Sequence, residues 1–263
     1  HKRIKIWAIV TAILLVLIVA VNVVLVKVPI ASNSLNLLFG GERAIVSERK
    51  NDMTKAEALK AAEDFVIEVE KEGITLLKND NAALPLANAP HVSVFGKNSV
   101  DLVYSGSGSA GNSSSSVKTL YESLEAAGIV CNPALKSFYE NKSQSGDGRP
   151  DNPAMTSGQR LAGFATGETP LTSYTSSVTD SYADYKDAAI VVFSRIGGEG
   201  FDLPRSMATD FTLSSAVSGA SSANSHYLQL DVNEQALLDH VKANFDRVIV
   251  VLNTGSTMEI DAL

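Results

Sequence analysis

A run of 21 residues, Ile6 to Val26, contains only two polar side chains, Thr11 and Asn22. About 20 apolar residues in an α-helix reach across the hydrocarbon core of a bilayer. No arc of this run is polar enough to face water, as the outer face of a buried core helix must. The run also exceeds the roughly 7–15 apolar residues of a cleaved signal peptide. Val28-Pro29-Ile30-Ala31-Ser32 places proline where a cleavage site wants a small residue. Lys2, Arg3 and Lys5 precede the run, and only Lys27 follows it closely, so the positive-inside rule keeps the N-terminus in the cytoplasm. The sequence therefore predicts a single-pass signal anchor in the cell membrane, with the body extracytoplasmic. A cleaved signal peptide is the competing reading, and Trp7 in the mature membrane-bound protein would separate the two.

Charge divides the chain the same way. The formal net charge is −7, yet residues 1–27 carry +4 and no acid, which leaves −11 on the other 236 residues. An acidic body is a poor nucleic-acid binder. The lone cysteine, Cys131, excludes an internal disulfide. It lies in an expected strand and reads as a small buried apolar residue. The four histidines, His1, His91, His226 and His240, show no metal-ligand spacing.

The organisation expected is a basic tip and anchor over 1–27, a connector over 28–53 and one folded domain over 54–263. Thr54-Lys55-Ala56-Glu57 is a capping box, and apolar residues from Ala58 to Val69 follow at helical spacing. Strands are expected at His91–Gly96, Ile129–Asn132, Ala188–Ser194 and Arg247–Asn253. The last two read as covered on both faces. Helices are expected near Val117–Ala127, Pro133–Tyr139, Tyr182–Lys186 and Val232–Asn244. This alternation predicts an α/β layered sandwich with a mostly parallel sheet, preceded by one transmembrane helix. Asn141–Thr179, rich in Ser, Thr, Gly and Pro, reads as a long surface excursion.

Two motifs bear on chemistry. Gly106-Ser107-Gly108-Ser109-Ala110-Gly111 matches G-x-G-x-x-G. It lies about ten residues past its strand, however, and the acid expected some 20 residues on is missing, which argues against a dinucleotide site. A flexible loop, or a loop lining a crevice at the sheet's carboxyl edge, fits better. The second motif runs from the strand Ala188–Ser194 into Arg195-Ile196-Gly197-Gly198-Glu199-Gly200-Phe201-Asp202. Glycines let such a turn approach a ligand closely, and a partly desolvated carboxyl group is a usable general acid near neutral pH. The residue types alone favour solvated loop acids at Glu199 and Asp202, with Arg195 as a surface partner.

These stretches together resemble the C-terminal α/β sandwich domain of glycoside hydrolase family 3, which includes β-glucosidases and β-xylosidases. The resemblance is carried by Glu72–Asn79 with Leu84-Pro85-Leu86, by His91–Gly96, by Tyr104–Gly111, by Asp187–Asp202 and by Arg247–Ile260. It implies that Glu199 is the general acid/base of a retaining glycosidase. Such enzymes pair the acid with a carboxylate nucleophile about 5–5.5 Å away and need no metal or other cofactor. Arg195 and Asp202 would be supporting, substrate-binding residues, and Ser107 and Ser109 would help wall the sugar site. Leu203-Pro204 departs from the family pattern at the far end of this loop, where a charged residue often follows the aspartate.

In that family the nucleophile is an aspartate in an Asp-Trp motif on a (β/α)₈ barrel. The single tryptophan, Trp7, lies in the apolar run, and a barrel needs about 200–250 residues of its own. The expectation is a barrel beyond Leu263 or on another chain. This chain, which reads as an incomplete sandwich, would then supply the acid/base half and be inactive alone. The substrate expected is a β-linked oligosaccharide or glycoside. Two alternatives are a non-catalytic, surface-anchored carbohydrate-binding or interaction module and a nucleotide-binding domain built on Gly106–Gly111.

Overall fold

A computed structural model describes residues 2–27, 53–106, 117–149, 164–197, 203–205, 225–261 and 263. The chain divides into two compact units, His1–Thr75 and Leu76–Leu263.

In the first unit, helix α1 spans Lys2–Lys27. Its stretch Arg3–Val24 has a mean hydropathy of 2.8 and is long and apolar enough to cross a membrane. The polar exception, Asn22, donates from Nδ2 to the carbonyl of Ile18 at 2.8 Å and so satisfies itself within the helix. Helix α2, Lys55–Gly73, begins at the expected capping box. Glu57 N–H donates to Thr54 Oγ1, and Thr54 N–H donates back to Glu57 Oε2 at 2.7 Å. None of its residues is buried, and Leu59, Phe65, Val66 and Val69 are exposed. The helix lies on the first unit's side of the division, whereas the sequence reading places it at the start of the sandwich.

The second unit is built on strands β1 (His91–Phe95), β2 (Val130–Cys131), β3 (Ala188–Arg195) and β4 (Val248–Thr254). They form one parallel sheet in the order β2-β1-β3-β4. Side chains alternate across it with period two. Val92, Val94, Ala188, Ile190 and Val192 pack with Tyr121 and Leu124 of helix α3, Leu120–Ala126. Phe95, Ala189, Val191 and Phe193 point to the other face, against helices α4 (Pro133–Glu140) and α7 (Val232–Asn244), which contribute Leu135, Phe138, Leu237, Leu238 and Val241. This is the α/β layered architecture expected, with β3 buried along its whole length.

Some local expectations change. β4 is half-exposed throughout, because it is the edge of this sheet. Cys131 is half-buried rather than buried. The helix expected at Tyr182–Lys186 is instead α6, Ser176–Asp180, continued by a 3₁₀ turn over Ser181–Asp184. The larger correction concerns Asn141–Thr179. After α5, Lys142–Ser145, the described part of this stretch turns inward, with Phe164, Glu168 and Thr169 buried. Polar composition misleads here, because these polar groups pair with backbone at the sheet edge; Thr169 Oγ1, for example, donates to the Ser145 carbonyl at 2.8 Å. Gly167, with φ +66°, makes the turn possible, since a Cβ there would lie 2.1 Å from the backbone carbon of Gly148.

Candidate functional site

In open parallel sheets, ligands bind outside the carboxyl ends of the strands, where the strand order reverses. Here the chain leaves β1 for β2 on one side and returns to β3 on the other, so the reversal falls between β1 and β3. The first group met there is a carboxyl from the inward-turning segment. Glu168 accepts the Lys97 N–H on both oxygens at 3.0 Å, and the Thr169 N–H on Oε1 at 2.9 Å. Burial pushes its pKa up to about 8, against the opposing effect of these N–H donors. Gly96 makes the close approach possible. Its φ is +97°, and a Cβ there would sit 2.5 Å from the Val192 carbonyl oxygen and 3.4 Å from Glu168 Oε2. Lys97 turns its ammonium inward, donating to the Tyr139 carbonyl at 2.5 Å and to Ser145 Oγ at 2.7 Å. Burial lowers its pKa.

The carboxyl end of β3 is held by Arg195, which is 1% exposed. All five of its N–H groups are engaged within the protein. Nε donates to the Tyr227 carbonyl and one Nη2 hydrogen to the Gln229 carbonyl, both at 2.5 Å. Nη1 donates to the Ser194 carbonyl at 2.9 Å, and Nη1 and Nη2 each reach one oxygen of Glu234 at 2.7 Å. Burial alone would lower the Arg195 pKa, but the Glu234 carboxylate outweighs it and holds the guanidinium charged. Glu234 is fully buried and belongs to the capping box of α7, accepting the Asp231 N–H at 3.0 Å while its own N–H donates to Asp231 Oδ1. Asp231 is itself raised to about 6 by burial. One residue on, the Ile196 N–H donates to the Tyr227 hydroxyl at 2.7 Å.

A third tether joins the two neighbouring loops. Asn253, near the end of β4, accepts the Val103 N–H on Oδ1 at 2.6 Å and donates from Nδ2 to the Val103 carbonyl at 3.0 Å. The same Oδ1 accepts the Ser194 hydroxyl at 2.8 Å. Arg149 Nη2 adds bonds to the Asp101 and Leu102 carbonyls at 3.1 Å. The segment Asp101–Gly106 is thereby fastened across the ends of β3 and β4.

Of the residues singled out in the sequence, Glu199, Asp202, Ser107 and Ser109 lie outside the described residues. Arg195 lies in the core. The bland reading of it as a surface partner does not hold, and its donors face protein acceptors. Among the described residues, Val103, four positions before Ser107, and Ser194, five positions before Glu199, both bond to Asn253. Sequence reasoning missed Glu168, Glu234 and Asn253. Asp231-x-x-Glu234 has a capping-box pattern that could have flagged Glu234, and a polar residue ending the apolar run of β4 could have flagged Asn253. Nothing local marks Glu168. Among the described residues, no group of three or more His, Cys, Asp or Glu is placed to hold a metal ion.

Comparison with known proteins gives a consistent picture. The family model for the glycosyl hydrolase family 3 C-terminal domain matches residues 74–263. Beta-glucosidase A of Butyrivibrio fibrisolvens is 28% identical over 194 residues, covering 72% of this chain and 22% of that protein. A beta-glucosidase of Ruminococcus albus is 28% identical over 199 residues, covering 73% of this chain and 18% of the relative. The chain thus spans about a fifth of the length of these relatives. Among solved structures, beta-glucosidase 3B of Thermotoga neapolitana in complex with glucose superposes with a TM-score of 0.56 at 22% identity, over 78% of this chain and 26% of that one. This last likeness concerns the fold.

Proposed function

The chain belongs to the glycosyl hydrolase family 3 C-terminal domain family, and from that premise we propose that it supplies the acid/base carboxylate, Glu199, of a retaining β-glycosidase. The enzyme hydrolyses O-glycosyl bonds of the β-glucoside or β-xyloside type and is anchored in the membrane by residues 6–26, with its body extracytoplasmic. The observation that carries this reading is the family match itself, which runs through β3 and the Arg195–Asp202 segment. The names of the two curated relatives support the β-glucoside part of that substrate class.

In this mechanism Glu199 donates its proton to the departing sugar oxygen while a carboxylate nucleophile forms the glycosyl-enzyme. The resulting Glu199 carboxylate then takes a proton from the water that releases the sugar. In this reading the nucleophile comes from a separate barrel domain rather than from the sandwich domain that carries Glu199. Asp202 and the serines Ser107 and Ser109 line the sugar site. Arg195 supports the site from within, because its five hydrogen bonds fix the end of β3, four residues before Glu199.

The test is Glu199→Ala in the complete polypeptide. Turnover of glycosides with poor leaving groups should fall by about 10²–10⁴-fold, the usual contribution of a general acid/base. Activated aryl glycosides, which need no protonation, should be largely spared at the first step, and added azide should yield the glycosyl azide. Unchanged kinetics on both substrate types would end the assignment.

A further inference from the structure

Helix α1 carries both polar residues of its apolar run on one stripe. Ile4, Ala8, Thr11, Leu15, Ile18 and Asn22 follow one another in steps of four and three residues. That alternation is the seam of a left-handed helix pair, the commonest packing of membrane helices. Thr11 and Asn22 are 11 residues apart, close to three full turns, and so share a face. Measured along the helix from Val16, the middle of the run, they sit about 7 and 9 Å to either side, inside a hydrocarbon half-thickness of about 15 Å. The bond from Asn22 to the Ile18 carbonyl occupies one amide hydrogen. A primary amide has a second N–H and an accepting oxygen, and neither meets a partner among the described residues. In hydrocarbon such groups are strongly unfavourable until paired. An open groove lined by Ile18, Val19, Asn22, Val23 and Lys27 lies at the same point of the helix, where a facing helix could seat a side chain. None of residues 3–24 is buried.

We propose that α1 is a self-association helix, in which two copies of this chain pair along the Ile4–Asn22 seam with Asn22 hydrogen-bonded to its counterpart. The proposal rests on the reading of residues 6–26 as a membrane anchor. Apolar contact gives a helix in lipid little preference between a neighbour and an acyl tail, so the amide decides the occupant. A second copy fits it best. Every copy enters the membrane with Lys2, Arg3 and Lys5 on the cytoplasmic side, so two copies lie parallel and hold their Asn22 amides at one depth. An amide is its own complement, donor to acceptor in both directions, as a two-fold interface requires. Repulsion between the two basic tips opposes pairing, but water, salt and anionic lipid screen it at the membrane surface.

The test is oxidative cross-linking of the complete polypeptide in its native membranes, in a Cys131→Ser background. One cysteine is placed on the seam, as Leu15→Cys, or on the opposite face, as Ile13→Cys. Leu15→Cys should give a product of twice the chain's mass, in at least about fivefold greater yield than Ile13→Cys, because only the seam brings two copies together. A second measurement follows energy transfer between labelled copies of the purified polypeptide, diluted in phosphatidylcholine vesicles. Asn22→Leu should lower the association constant by about three- to thirtyfold, the range for one interhelical hydrogen bond, and Asn22→Gln, which keeps the amide, should restore most of it. A membrane-embedded chain with no dimer, a product of another mass, or equal yields from positions 13 and 15 would overturn the pairing and leave the anchor standing. An Asn22→Leu dimer as tight as wild type would overturn the role of the amide. A chain that carbonate washes from the membrane, or a mature protein lacking Trp7, would overturn the anchor reading and the proposal with it.

Discussion

Gly96 ends β1 where two backbones nearly touch. With φ +97° and a hypothetical Cβ 2.5 Å from the Val192 carbonyl oxygen, the site has no flexible neighbour to yield. Gly96→Ala should cost about 2–5 kcal/mol from backbone strain and overpacking together, measured by chemical denaturation. Arg195 and Glu234 pose a different problem, a charge pair buried at 1% and 0% side-chain exposure. Glu234→Ala leaves the guanidinium charge buried and uncompensated, so it should destabilise by about 3–5 kcal/mol. Replacing both partners, as in Arg195→Met with Glu234→Leu, should recover much of that loss, because no unpaired charge remains. Loss of activity in a stable double variant would then report on the support given to the carboxyl end of β3 rather than on folding.

At the level of elements, local signals decided where helices begin. Thr119 caps α3 as Thr54 caps α2; Glu122 N–H donates to Thr119 Oγ1, and Thr119 N–H donates to Glu122 Oε2. Thr119→Ala should cost about 1 kcal/mol in a thermal or denaturant melt. The strand β3 was legible because its continuous apolar, β-branched run suits a strand covered on both faces. β4 carries the same kind of run and is half-exposed all the same. Apolar content reports what a strand can bury, whereas its place at the edge is set by the order of pairing. α2 shows the same limit, being amphipathic in sequence and legible as a helix, yet without a buried residue.

For the molecule as a whole, Glu168 couples stability to pH. Its folded pKa, about 8, lies above the usual carboxyl value. Between roughly pH 4.5 and 8 the unfolded chain has released this proton and the folded one still holds it. Stability contributed by Glu168 is thus fully present at low pH and is lost as pH rises through that window, by up to about 1.4 kcal/mol per pH unit. Glu168→Gln, which mimics the protonated form, should flatten this part of the stability–pH profile; a slope equal to that of wild type would refute the role. Asp231, raised to about 6, contributes in the same direction and remains in the variant. Glu168 was invisible in the sequence, since a glutamate in a Ser/Thr-rich stretch looks solvated until the fold carries it to the carboxyl end of β1. The apolar N-terminal helix, the parallel strands, the helix caps and the family of residues 74–263 follow from patterns in neighbouring residues, because periodicity, capping and hydropathy act over one or two turns of chain. The burial of Arg195 on Glu234, the carboxyl in the β1–β3 crevice and the Asn253 clasp join residues between 39 and 150 positions apart. Only tertiary packing decides such pairings, because each partner alone is an ordinary polar residue that water would satisfy as well.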